Sequence, residues 1–376
     1  MMKQKLAKYL YFILVFSLSI PTIQYVTGFS NVKKLKGYIQ LHSDIEISVT
    51  NWLSGDYQEK KELYLRDHFG FRPSFVRLHN QYDYSFYNQL HTNSVVLGKD
   101  EFLFEEQYIK AYYGKDKINE TTVDSLIDKL VFVQRELKKQ NKHLFVFLAP
   151  GKGEFFPEYI PDAFHQKRQL PTNYQYFVSQ FKNKNINYFD AQDWFLKNKT
   201  SSPFPLYSKG GIHWSRYAEL IMTDSLLNFL EIETNQIFPD LVLDNFPVQS
   251  TMKYRDNDIG ESFNLLSSTS SYPMCYPSFH IDNKNLKTSP KVMVVADSFY
   301  WGMYKDDFTE TLFGDGEFWY YNQTIYPGNT PVNSVDLNEK LAEHELIILM
   351  STDANLPKFA YGFIEQTYEL LKTKTP

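Results

Sequence analysis

The chain is poor in cysteine. Cys275 stands alone among 376 residues, which excludes an internal disulfide framework and any Cys-based zinc site. It is poor in arginine, with seven, inside a Lys plus Arg total of 39 against 44 Asp plus Glu. The net charge of −5 is mild for this length, and no long Lys/Arg block occurs, so no nucleic-acid partner is expected. The nine His are scattered and no His-Glu-x-x-His is present, so no metal is expected. Gly151-Lys152-Gly153-Glu154 lacks the Gly-Lys-Ser/Thr ending of a phosphate loop, and no cofactor is expected. No internal repeat or low-complexity tract is visible.

What remains is an ordinary globular balance, 43% hydrophobic and 22% charged, which excludes wholesale disorder. The length allows two domains, or one large domain with an appendage. The aromatic share is high, with 31 Phe, 28 Tyr and 5 Trp. Flat rings suit the apolar faces of sugars. Scarce Arg and frequent Asn point instead to an A+T-rich genome as the main source of the surplus.

Lys3, Lys5 and Lys8 precede a run from Tyr9 to Ile20 whose only polar members are Tyr, Ser17 and Ser19. A basic start before an apolar stretch reads as an export signal. No small-x-small cleavage site follows Ile20. From Tyr9 to Phe29 the stretch approaches the roughly 20 residues that span a bilayer. The expectation is an uncleaved anchor with its Lys-bearing end in the cytoplasm and the remaining chain outside. A cleaved signal peptide and a buried helix are the alternatives.

Residues 31–118 read as a helical, membrane-proximal region with short strands, Val95–Leu97 and Phe102–Phe104, around a turn at Gly98–Asp100. From 119 to 376 helical and apolar strand-like segments alternate. Val123–Gln140, Tyr174–Lys184, Ser215–Leu230 and Ala360–Lys372 carry helical spacing, and His143–Ala149, Ile186–Asp190, Lys291–Ala296 and Leu346–Met350 are strand-like. This order predicts an α/β fold: a mainly parallel sheet with helices on both faces. Residues from about 234 to 288 lack the rhythm and read as an irregular insertion.

Reactive groups of such a sheet lie past the carboxyl ends of its strands. Asp297-Ser298 directly follows an apolar strand, so Ser298 is a candidate nucleophile, and either residue is a candidate helix cap. Gly210-Gly211-Ile212-His213-Trp214-Ser215 precedes a strong helix. A serine hydroxyl needs a base to take its proton, and His213 is the candidate; the competing reading packs it under Trp214. Asp190, with Asp193 nearby, either orients His213 or caps a helix.

The order of these features resembles the SGNH-hydrolase-like family of exported polysaccharide O-acetyltransferases, the alginate O-acetylation proteins. The resembling segments are the N-terminal anchor, Arg66–Arg72, Val96–Phe104, Ala149–Lys152, His213–Ser215, Ala296–Phe299 and Leu346–Met350. The resemblance implies a flavodoxin-like sheet and a Ser-His acyl enzyme. It implies acetyl transfer to a polysaccharide, or to water in an esterase, with acetyl supplied by a membrane-bound O-acyltransferase partner. Ser298 would be the nucleophile, its N–H an oxyanion donor, and His213 the base and later the acid. The family's acid stands two residues before the histidine, in Asp-x-His-Trp, and here that position is Gly211. Three explanations stay open: another carboxylate or carbonyl orients His213, Asp190 and Asp193 being first candidates; the protein works as a Ser-His dyad; or it is a catalytically degenerate glycan-binding or assembly protein.

Overall fold

The computed structural model describes residues 2–37, 40–267, 271–282 and 290–374. The chain divides into two compact units. The first runs to Asn93 and takes in residues 260–267; the second holds the remainder from Ser94.

The first unit begins with α1 (Met2–Thr27), continuous through Pro21. Its Lys5–Thr27 stretch is long and apolar enough to cross a membrane. Three helices follow: α2 (Val49–Ser54), α3 (Asp56–His68) and α4 (Arg72–Tyr87). The Arg66–Arg72 segment forms the α3–α4 corner. Asp67 accepts from the His42 N–H at 3.0 Å and pairs with Arg72. A Cβ at Gly70 would lie 1.9 Å from the Pro21 carbonyl oxygen, so only glycine fits there. The motif is therefore a tight corner against the end of α1.

The second unit opens with the antiparallel hairpin Val95–Leu97 and Leu103–Glu105. It continues through α5 (Glu106–Tyr113), α6 (Glu120–Lys139), β1 (His143–Ala149), α7 (Asn173–Asn183), β2 (Tyr188–Asp190), α8 (Ala191–Asn198) and α9 (Arg216–Thr234). After the insertion come β3 (Val292–Ala296), β4 (Gly316–Tyr320), β5 (Thr324–Tyr326), β6 (Thr330–Pro331), β7 (Leu346–Thr352) and α10 (Phe363–Lys372). The sheet order is β6-β5-β4-β3-β7-β1-β2. The five strands from β4 to β2 are parallel, and β5 and β6 add an antiparallel edge.

β1, β3 and β7 are continuous apolar runs because both of their faces are covered. Leu144, Val146 and Leu148 of β1 and Ile347 and Leu349 of β7 join a core with Ile127 and Leu130 of α6, Phe177 of α7 and Phe363 of α10. Phe145 and Phe147 point the other way, to Phe229 of α9 at 5.5 Å and Trp214 at 6.0 Å between ring centroids. The mainly parallel sheet with helices on both faces, as expected, is what the chain forms. β4, β5 and β6 are not among the four strands that the apolar runs predict. Glu317 interrupts β4, where it takes Trp319 Nε1 at 2.9 Å and Lys340 Nζ at 2.6 Å.

The insertion is not wholly irregular. Asp240–Asn245 pairs antiparallel with Ser278–Asp282, and Val248–Gln249 with Met274–Cys275. Of its span, residues 268–270 and 283–288 lie outside the described residues.

Candidate active site

Ser298 opens a short 3-10 turn, Ser298–Tyr300, at the carboxyl end of β3. The turn is fixed by Asp297. Its Oδ1 accepts the Phe299 N–H at 3.0 Å. Its Oδ2 accepts the Thr352 N–H at 3.0 Å and Asn355 Nδ2 at 2.9 Å. Asp297 thus ties the end of β3 to the end of β7, and the cap falls to Asp297 while Ser298 stays half-buried with its hydroxyl available.

His213 arrives from the loop before α9. Ser215 caps that helix by accepting the Ala218 N–H at 3.1 Å. Trp214 is buried, edge-on to Phe147 and Phe299, so its contribution is core packing. His213 Nε2 stands 2.9 Å from Ser298 Oγ. The two residues that the sequence nominates are thereby brought together, although 85 positions separate them.

The acid comes from elsewhere. His213 Nδ1 stands 2.5 Å from Asp258 Oδ2. Asp258 Oδ1 accepts the N–H of Ile212 at 3.0 Å and of Ile259 at 2.8 Å. Asp190 and Asp193 do not meet the histidine. Asp190 caps α8 and accepts Tyr174 Oη at 2.8 Å, and Asp193 pairs with Lys197. Sequence reasoning missed Asp258 because it lies in the insertion without strand or helix periodicity. Arg255-Asp256-Asn257-Asp258 is a charged run in a stretch that is itself mostly polar, so it does not stand out.

The vacancy at Gly211 has a steric cause. A Cβ there would lie 2.4 Å from the Arg255 carbonyl oxygen and 2.9 Å from Ser208 Oγ. The segment that delivers Asp258 occupies the space an acid at 211 would need. Lys152, fully buried, holds the same loop: its Nζ donates to the carbonyls of Lys209 at 2.9 Å and Gly211 at 2.5 Å. Burial lowers its pKa to about 7.

Arg255 supplies positive charge beside the pair. Its Nη2 donates to the Ser298 carbonyl, and its buried Nη1 has no partner among the described residues. Burial and the Arg255 charge hold the His213 pKa below the ordinary histidine value, outweighing Asp258, which acts to raise it. Burial would raise the Asp258 carboxyl, but facing His213 and accepting the Ile212 N–H bring it below the usual carboxylate range. At neutral pH the geometry therefore sets a neutral imidazole, Nδ1–H toward the carboxylate and Nε2 open to the serine proton.

Tyr300 is buried, and Trp301 packs among Phe318, Tyr320 and Tyr326, so neither forms an open aromatic platform here. In the N-terminal unit His79, Asp83 and His91 place one donor atom each within 4.8 Å of one another. This partly exposed trio escaped sequence reading because His91 lies beyond the end of α4.

Residues 95–221 match the family model of the SGNH hydrolase-like domain, acetyltransferase AlgX. The match holds Lys152 and His213; Asp258 and Ser298 lie beyond it. The resemblance read from the sequence and this match agree, and the fold is SGNH hydrolase-like. No curated relative matches in sequence. Similar solved structures include the O-acetyltransferase domain of Pseudomonas putida AlgJ, with 14% identity and a TM-score of 0.49, covering 74% of this chain and 99% of that one. Bacillus cereus PatB1 has 12% identity and a TM-score of 0.48, covering 72% and 99%. Pseudomonas aeruginosa AlgX has 15% identity and a TM-score of 0.43, covering 76% and 70%.

Replacing Gly211 by Asp is expected to lower activity, not raise it, since the new side chain must displace the 255–258 segment. Acetate release from an activated acetyl ester, read beside the unfolding temperature, checks this. Activity equal to or above wild type would show that the segment yields.

Proposed function

We propose that this protein is an exported, membrane-anchored O-acetyltransferase that modifies a cell-envelope or extracellular polysaccharide through a serine acyl enzyme. The observation that carries the reading is the hydrogen-bonded line Asp258–His213–Ser298. The family match over residues 95–221 supports the reaction class. The membrane-length α1 supports anchoring, with the α/β unit on the outer side of the cytoplasmic membrane. Acetyl would come from a membrane-bound O-acyltransferase partner.

Ser298 Oγ attacks the acetyl carbonyl carbon while His213 Nε2 takes its proton. Charge moves onto the carbonyl oxygen, where the Ser298 N–H is a donor and the Arg255 guanidinium, bonded to the Ser298 carbonyl, supplies positive charge. The carbon–donor bond breaks and the imidazolium returns its proton to the departing donor. A sugar hydroxyl then gives its proton to His213 and attacks the acetyl-serine. Ser298 leaves with that proton, and the sugar carries the ester. Asp258 holds the tautomer and stabilises the imidazolium in both halves. The degenerate-binder reading drew on the missing acid at 211 and on the aromatic surplus; Asp258 at His213 Nδ1 weighs against the first of these.

The test is acetate release from an activated acetyl ester by the full chain. Ser298→Ala and His213→Ala are expected to abolish it, and Asp258→Asn to reduce turnover by about 10⁴. Activity indifferent to all three would end the acyl-enzyme reading.

The pH profile offers a separate check. His213 must be neutral, so kcat/KM rises with pH through a midpoint below the ordinary histidine value of about 6.5. Arg255→Gln removes a positive charge, raises the His213 pKa and moves that limb to higher pH. A limb that stays in place would contradict the assigned electrostatics.

Anchoring predicts that the full chain stays in the membrane pellet after carbonate extraction, while a chain starting after Thr27 is released. Release of the full chain would overturn it.

A further inference from the structure

Three side chains of the N-terminal unit bring their donor atoms together. His79 and Asp83 lie one turn apart on α4, so their side chains share a face of the helix. α4 ends at Tyr87, and Asn88 takes a left-handed conformation, φ 50°, that turns the chain back. The Asn88 N–H donates to the Tyr84 carbonyl at 3.1 Å and the Gln89 N–H to the Asp83 carbonyl at 3.3 Å. The reversal returns His91 to the same face. His91 Nε2 stands 2.5 Å from Asp83 Oδ2, and His79 Nε2 stands 3.4 Å from the same oxygen. The three donor atoms all lie within 4.8 Å of one another.

A helical His–Asp pair is common and weak. Two features set this group apart. One carboxylate oxygen is approached by two imidazoles at once, and the two rings stack, with centroids 5.1 Å apart and planes 22° from parallel. Protonating both rings would set two cations face to face. With both rings neutral, each Nε2 can turn a lone pair inward, and a divalent ion then meets two lone pairs and a negative charge. Donors on a tetrahedral ion stand about 3.4 Å apart when each lies about 2.0–2.2 Å from it. The His79 contact already has that spacing. The shorter His91 contact is that of a hydrogen bond, and the ion takes the place of its proton as the ring hydrogen moves to Nδ1. The Asp83 side chain is 13% exposed, against 66% for His79 and 37% for His91. The carboxylate is therefore shielded, while the imidazoles are open to an ion arriving from solvent.

We propose that His79, Asp83 and His91 form a reversible site for a divalent transition ion of the zinc class. Two imidazole nitrogens and one carboxylate oxygen are the protein's donors, and water takes the remaining position. Imidazole donors favour such ions over magnesium and calcium. The ion fastens the chain at His91 to the end of α4 and stabilises that helix terminus. Histidine spacing does not predict this site, because its third donor comes from the reversal at Asn88 and not from the helix. The proposal is independent of the chemistry at Ser298.

The experiment is calorimetric titration of zinc chloride into the full chain, prepared in detergent without a histidine tag and stripped with a chelator. Wild type is expected to bind one equivalent with a dissociation constant in the micromolar range or below, and excess magnesium does not compete. His79→Gln, Asp83→Asn and His91→Gln each weaken binding at least tenfold. His42→Gln, which removes the separate pair with Asp67, leaves it unchanged. Zinc raises the unfolding temperature of wild type and not that of His91→Gln. His79→Gln, at the most exposed of the three positions, decides the matter if the other two variants unfold. Absence of zinc binding, equal competition by magnesium, or binding that survives His79→Gln and His91→Gln together overturns the site.

Discussion

The carboxylate of Asp258 is the constraint on which the site depends. It gathers three donors, the N–H groups of Ile212 and Ile259 and Nδ1 of His213. A partly buried carboxylate is tolerated best when its oxygens are satisfied, and this one's are. The same bonds fix the position of the histidine loop on one side and the start of the Asp258–Ser262 helix on the other. A change that loosens either segment thus disturbs imidazole orientation before it touches Ser298.

The placement of this acid explains an apparent defect in the motif. Where the related pattern carries an aspartate two residues before the histidine, this chain has glycine. Glycine is required because the Arg255 carbonyl lies where a Cβ would stand. A side chain at 211 and a supporting segment at 255–258 are mutually exclusive solutions of one problem, and this chain uses the second. Lys152 completes it by bonding two carbonyls of the loop that the glycines leave without side-chain packing.

Much of this was legible in residues 143–149, 291–296 and 346–350, because strands covered on both faces must be apolar throughout. Ser298 was legible because it directly follows such a strand, and His213 because a Gly-Gly pair delivers it to the start of a strong helix. Asp258 was not. Its partner is 45 positions away, across α9 and two short strands that pair with residues beyond Asp258, so no local pattern marks it. β4 was obscured by Glu317, a charge that reads as solvent-facing but is neutralised by Lys340. Asp190 misled because strand-end aspartates serve equally as helix caps, and only the third dimension shows that its oxygens are spent on Tyr174 and Asp193.

Arg255 and Asp258 come from one short segment and act on His213 in opposite directions. The aspartate favours the imidazolium; the arginine and burial disfavour it, and the balance falls below the ordinary value. A base must be unprotonated before it can accept a proton, yet its conjugate acid must be stabilised once formed. Asp258, bonded to Nδ1, strengthens its interaction when the ring becomes charged. Arg255 opposes that charge in the resting state; in the proposed acetyl transfer, negative charge developing on the acetyl oxygen would give it an attraction that offsets the repulsion. On that reading the cation would cost little in the transition state while keeping the histidine neutral in the resting state. Putting both charges on one segment makes that compensation a property of a single piece of backbone, which the Gly211 contact holds in register with the histidine.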